Sequence, residues 1–147
     1  MLKMLRNNFG SVNALPAQDT EIQIGSGSPV TYNKIPEVKT FNGPGGSAQV
    51  IDVTDLSSSA MEKLMGLADE GQLGFQINYI PANTYHAALR TARDNRTLTN
   101  FKMIFPDTGE TTWTFTAYVT GFSVSGGVNG AILADVTLEI TGAISEA

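Results

Sequence analysis

The sequence has no cysteine, which excludes disulfides, thiolate nucleophiles, iron–sulfur clusters and cysteine-based zinc sites. The redox compartment stays open. It has one histidine, His86, so a multi-histidine metal site within one chain is excluded as well. Charged residues make up 16%, below the roughly 25% usual for soluble domains. With 9 Lys and Arg against 14 Asp and Glu, the net charge is −5. A basic footprint for wrapping nucleic acid is therefore missing. No apolar run approaches the ~18 residues that a membrane-spanning helix needs. The basic start, Met1 to Arg6, is not followed by the apolar stretch of a signal peptide.

What is abundant is small and polar. Gly 15, with ten Ser, sixteen Thr and ten Asn, amounts to about a third of the 147 residues. That mixture suits a β-rich protein whose surface meets other protein. The length fits one domain, 1–147, able to bury a real core.

Along the chain, residues 1–19 show no period and read as an irregular N-terminal arm. Thr20 to Ile24 alternates as a strand, and Gly25 to Pro29 is a turn. Residues 30–41 fit an irregular edge strand. The run 42–47 (NGPGGS) has loop chemistry, and Gln49 to Val53 returns to strand. Residues 54–71 read as a long assembly loop. It would hold at most one or two helical turns, since Ser59 and Glu62 match a capping box and Met61, Leu64 and Met65 would form its apolar stripe. A long loop between strands is commonly functional.

Leu73 to Ile80 alternates as a strand and Pro81 ends it. Asn83 or Thr84 can cap a helix over about 84–94. Tyr85, Ala88, Leu89 and Ala92 form its apolar face. His86, Arg90 and Arg93 form a polar one. After Asn95 everything alternates with period two. Turns fall at 106–109 and 126–130, and the last strand sets Ile132, Ala134, Val136, Leu138 and Ile140 against Asp135, Thr137 and Glu139. One helix among many strands excludes a parallel α/β sheet. The expected class is mainly β: an antiparallel sandwich or barrel with one flanking helix.

Nothing along the chain assembles into catalytic machinery. His86 lacks a nucleophile and an orienting carboxylate at any suggestive spacing, so an exposed helix histidine is expected. The glycine clusters lack the Gly-Lys-Ser/Thr of a phosphate loop. Asp52–Asp55 and Asp69–Glu70 lack the spacing of a calcium loop. No catalytic residue, metal or cofactor is assigned. Arg90, Arg93 and Arg96 either favour the helix C-terminus electrostatically or pair with acids of a neighbouring subunit.

Three stretches together resemble the major tail tube proteins of long-tailed, non-contractile phages. They are NGPGGSAQVIDVTDL at 42–56, GFQINYIP at 74–81, and FPDTG at 105–109 with FTAYVTGF at 115–122 and VTLEITG at 136–142. The fold is shared with type VI secretion tube proteins. The resemblance implies a virion protein of the phage tail, assembled in the host cytoplasm. Six copies would form a ring and rings would stack into a tube. The tube would enclose the tape measure protein, meet tail terminator and tail tip proteins, and pass DNA without binding it; no membrane is implied. On that basis Asp135, Thr137, Glu139 and Asp52 are candidates for the lumen wall. Met61, Leu64, Met65, Arg90 and Arg93 are candidates for contacts between subunits or rings. Alternatives are a tail terminator or neck ring, a secretion-type tube, and a monomeric β-sandwich binder. The last is disfavoured because Trp113 falls in a core pattern with Phe115, Ala117 and Val119.

Overall fold

The computed structural model describes residues 14–147. Seven strands and one helix follow in order: β1 (Glu21–Ser26), β2 (Thr31–Lys34), β3 (Val38–Asp52), β4 (Lys63–Asn78), α1 (Thr84–Asn95), β5 (Thr99–Ile104), β6 (Thr112–Ser125) and β7 (Leu133–Glu146). All strands belong to one sheet in the order β2-β1-β5-β6-β7-β4-β3. Every pairing is antiparallel. The sheet does not close on itself; β2 and β3 are its edges.

Strand alternation sorts the side chains onto two faces. One face carries Ile22 and Ile24, Phe101 and Met103, Phe115, Ala117 and Val119, Val136, Leu138 and Ile140, and Leu73, Phe75 and Ile77, all buried. The register confirms a shared face: Ile22 stands opposite Met103, Phe101 opposite Phe115, Val119 opposite Leu138, and Leu138 opposite Leu73. A register shift between Val119 and Gly121 lets Phe122 point inward too, opposite Val136. One twelve-residue helix cannot cover this face across five strands. Complete burial of both Phe101 and Ile77 therefore requires the sheet to curl over its own apolar side, as a sandwich does.

The helix has a topological task. It connects β4 to β5, which are separated in the sheet by β7 and β6. Crossing three strand spacings needs about 14 Å. Twelve helical residues rise about 18 Å, so one helix suffices. It packs on β6 through Leu89 and Ala92, with Tyr85 and Ala88 partly buried, as the periodicity predicts. Asn83 caps it: its side-chain oxygen accepts from the Tyr85 and His86 amides at 2.9 and 3.2 Å. Arg96, left-handed at φ 54°, ends it.

Two sequence expectations are corrected. The NGPGGS run is not a loop between strands; it lies inside β3, where the β3–β4 register shifts between Asn42 and Gly45 and again before Ser47. Turn chemistry here makes bulges rather than a reversal. Nor is 54–71 a loop: only residues 53–62 are outside strands, and β4 begins at Lys63. The capping box at Ser59 forms no helix. A one-turn helix with no core to pack on cannot repay its nucleation cost, while extended pairing with β3 is available. The expected N-terminal arm, 1–19, lies outside the described residues over positions 1–13.

Candidate functional site

The outward face of the sheet is polar. Asp135, Thr137 and Glu139 lie together along β7, near its middle. On one side they stand opposite Gln76, Gly74 and Gln72 of β4. On the other they stand opposite Ser123, Gly121 and Tyr118 of β6. Gln76 donates from Nε2 to Asp135 Oδ1 at 3.0 Å. The Thr120 and Thr116 hydroxyls turn onto the Thr137 and Thr141 carbonyls at 3.3 and 3.0 Å. Gly74 leaves a gap in this row, forming a shallow depression of about 240 Å³ between Thr40, Asn42, Gln76, Asp135 and Thr137. Towards β1 the same face carries Lys102, seated 4.2 Å over the Tyr32 ring. Asp52, the fourth wall candidate, is not brought here; it ends β3 opposite Lys63, far along the hairpin.

That hairpin is the second surface. The halves of β3 and β4 nearest Val38 and Asn78 belong to the sheet, because β4 pairs with β7 only from Gln72 to Asn78. Beyond that point, among the described residues, the two strands pair only with each other and leave the body as an arm. Gly43 and Gly71 mark the departure, at φ +99° and +75°. A Cβ on Gly71 would sit 1.8 Å from the Gly45 carbonyl oxygen, and one on Gly43 2.4 Å from that of Gln72. Only glycine allows this crossing of the two backbones.

The arm buries none of its large apolar side chains. Met65 is 78% exposed, Leu67 95% and Leu56 109%. Val50 and Met65 share one side of the ribbon, Ile51 and Leu64 the other. Leu64 and Met65 therefore point to opposite sides rather than forming the helical stripe expected of them with Met61. Met61 lies in the tip, also exposed. An isolated two-stranded ribbon is at best marginal in water, and apolar groups on both sides mark a protein contact surface.

The tip itself is well tied. The Thr54 amide donates to Asp52 Oδ1 at 2.9 Å, the Glu62 amide to Thr54 Oγ1 at 2.8 Å, and the Ser57 amide to Asp55 Oδ1 at 2.8 Å. Hydrogen bonds from Thr54 hold the Asp52 carboxyl below the ordinary aspartate range, and those from Ser57 do the same for Asp55. Both acids stay charged at neutral pH.

Arg90 and Arg93 are exposed on the flank of α1, and the Arg93 guanidinium reaches the Phe122 carbonyl at 3.4 Å. Arg93 also pairs with Asp94 at 3.4 Å. His86 does not accompany them as an exposed residue; it is fully buried. Its Nδ1 accepts from the Ile80 amide at 3.1 Å, and its Nε2 lies 2.8 Å from the Pro36 carbonyl. This arrangement requires the neutral ring with hydrogen on Nε2. The histidine clamps the helix start to the β2–β3 connection, a role its spacing with the arginines concealed.

Among the described residues, no three His, Asp or Glu side chains converge to hold a metal ion. No helix among them is long and apolar enough to cross a membrane. What the geometry offers is contact surface: a polar sheet face, an apolar arm with acids, and a helix flank with arginines. Residues 13–110 match the family described as "Phage tail tube, TTP, lambda-like". The chain belongs to this tail tube family. Its role is structural and non-enzymatic, in the tail of the virion. No curated protein matches the sequence.

Solved tail tubes have the same fold as this tail tube protein. A chain of the tail of an empty gene transfer agent particle, refined with C6 symmetry, superposes with TM-score 0.76 at 17% identity, covering 91% of this chain and 99% of that one. A chain of the native gene transfer agent virion gives 0.74 at 19%, with the same coverage. The SPP1 tail tube gives 0.69 at 16%, covering 90% of this chain and 78% of that one.

Proposed function

We propose that copies of this tail tube protein form hexameric rings that stack into a hollow tube, enclosing the tape measure protein and later conducting DNA. The observation that carries this is the division of the sheet: one face filled by core, the other polar, and two edges, β2 and β3, without partner strands among the described residues. Unpaired edges invite strand addition, and joining them between copies removes the hazard. A head-to-tail contact of that kind closes into a ring when its rotation allows. The C6 symmetry of the gene transfer agent tail supports six copies.

In this arrangement the β7 row Asp135, Thr137 and Glu139 lines the lumen. A conduit for a polyanion must not hold it. Basic walls would gain affinity from every neutralised phosphate. Acids repel the backbone and keep it on the axis. Met61, Leu64 and Met65 join neighbouring rings, and tail terminator and tip proteins cap the ends.

The absence of cysteine supplies the test. A Thr137→Cys chain is labelled with a bulky maleimide before and after polymerisation. Labelling of free chains and protection in intact tubes is expected. Equal labelling in both states excludes an inward-facing β7 row.

A further inference from the structure

The arm needs a seat, and the opposite end of the same chain has the matching character. Strand β4 runs from the arm tip at Lys63 to Asn78, and beyond Asn78 the chain reaches Tyr79 and Ile80. Fifteen residue steps separate the two ends, about 50 Å at strand rise. At the far end the Tyr79 amide donates to the Ile132 carbonyl at 2.8 Å, which puts Ile132 alongside Tyr79, the residue before Ile80. Val124 stands opposite Ala134 on the next strand, and the Gly126 backbone lies against Ile132. Ile80, Val124 and Ile132 are 42%, 50% and 53% exposed.

The stretch from Thr120 to Leu133 contains no charged residue. The nearest cations come from α1: Arg93 reaches Phe122, two residues before Val124, and Arg90 lies one helical turn before it. This pole is therefore apolar with an arginine rim. The arm is apolar with acids: Asp52, Asp55, Glu62, Asp69 and Glu70 against Lys63 alone. Asp52 and Asp55 are held charged by their own hydrogen bonds.

We infer that the arm of one copy seats on the Ile80–Val124–Ile132 pole of a second copy, with Arg90 and Arg93 facing its acids. Two unlike patches at opposite ends of one molecule make a heterologous contact that repeats by translation, which stacks copies instead of closing a pair. Complementary charge orients the approach, and the apolar side chains supply the burial. The inference rests on the tube proposal and adds to it the surface that receives the arm.

The test uses two single-cysteine chains, Met61→Cys and Ile132→Cys, polymerised together beside a tail-tip initiator and treated with a short bismaleimide. Cross-linked mixed dimers are expected. In parallel, R90E/R93E should raise the protein concentration needed for tubes about tenfold, and D55K/E62K on the same chain should restore most of it. Tubes that give no 61–132 cross-link overturn the inference and leave the tube proposal standing. Tubes of R90E/R93E at the wild-type concentration do the same. If wild-type chains form no tubes at all, the proposal and the inference fall together. Should R90E/R93E fail to fold, the cross-link decides alone.

Discussion

Replacing Leu64 and Met65 together by serine separates folding from assembly. In the free chain these side chains are 57% and 78% exposed and stand opposite Ile51 and Val50 across the ribbon. Losing such cross-strand pairs costs each site about 0.2–1 kcal/mol, and the arm carries none of the core. The body should keep its melting temperature. Assembly is different. Full burial of a Leu or Met side chain is worth about 1.5–3 kcal/mol, so covering the exposed fraction here contributes about 1–2 kcal/mol per residue. If both sides of the ribbon are covered, the double variant loses about 2–4 kcal/mol per subunit. The concentration at which tubes appear should then rise about 30- to 1,000-fold. Sedimentation across a concentration series, with thermal unfolding of the unassembled chain alongside, measures both quantities. An unchanged threshold with an unchanged melting temperature would refute the assignment of the arm to assembly. Single variants divide the effect: if only Leu64→Ser or only Met65→Ser matters, one side of the ribbon remains in water.

Three further outcomes follow from the same geometry. Gly71→Ala should destabilise the chain by about 1–3 kcal/mol or more in denaturant unfolding, because a methyl group at φ +75° meets the Gly45 carbonyl; wild-type stability would remove the glycine crossing from the account. His86→Phe should cost about 1–3 kcal/mol by leaving the Ile80 amide and Pro36 carbonyl unpaired, whereas an exposed histidine would tolerate the change. The Asp107 carboxyl, held below the ordinary aspartate range chiefly by its Thr111 hydrogen bonds, should titrate at higher pH in Thr111→Val by NMR. Since the folded value is the lower one, the turn's stabilisation is present above the ordinary aspartate range. It fades as pH falls through the folded value.

Much of this was legible in the sequence wherever burial repeats with a period. The two-residue beat of β7 predicted which side chains line the core and which form the polar row, and the 3.6-residue beat of α1 predicted Leu89 and Ala92 inward. The reading failed where local chemistry and tertiary context disagree. The glycines and proline of 42–47 carry turn signals that the sheet uses as bulges, so the sequence pattern splits β3 into an edge strand ending at 41 and a second strand from Gln49. The Ser59–Glu62 capping box was locally sound but had no core to reward a helix. His86 lies beside the arginines on a helical wheel, yet the backbone groups it satisfies come from Pro36 and Ile80, which no spacing rule brings near. The strand order was also hidden, since the pairing of β4 with β7 depends on α1 carrying the chain across two strands.

Helical reconstruction of tubes assembled from this chain tests the central claim most directly. The account predicts rings with Asp135, Thr137 and Glu139 on the inner wall, edges β2 and β3 paired between neighbours, and each arm lying on the adjacent ring. A tube with the β7 polar row on its outer surface, or with arms projecting into solvent, would contradict it.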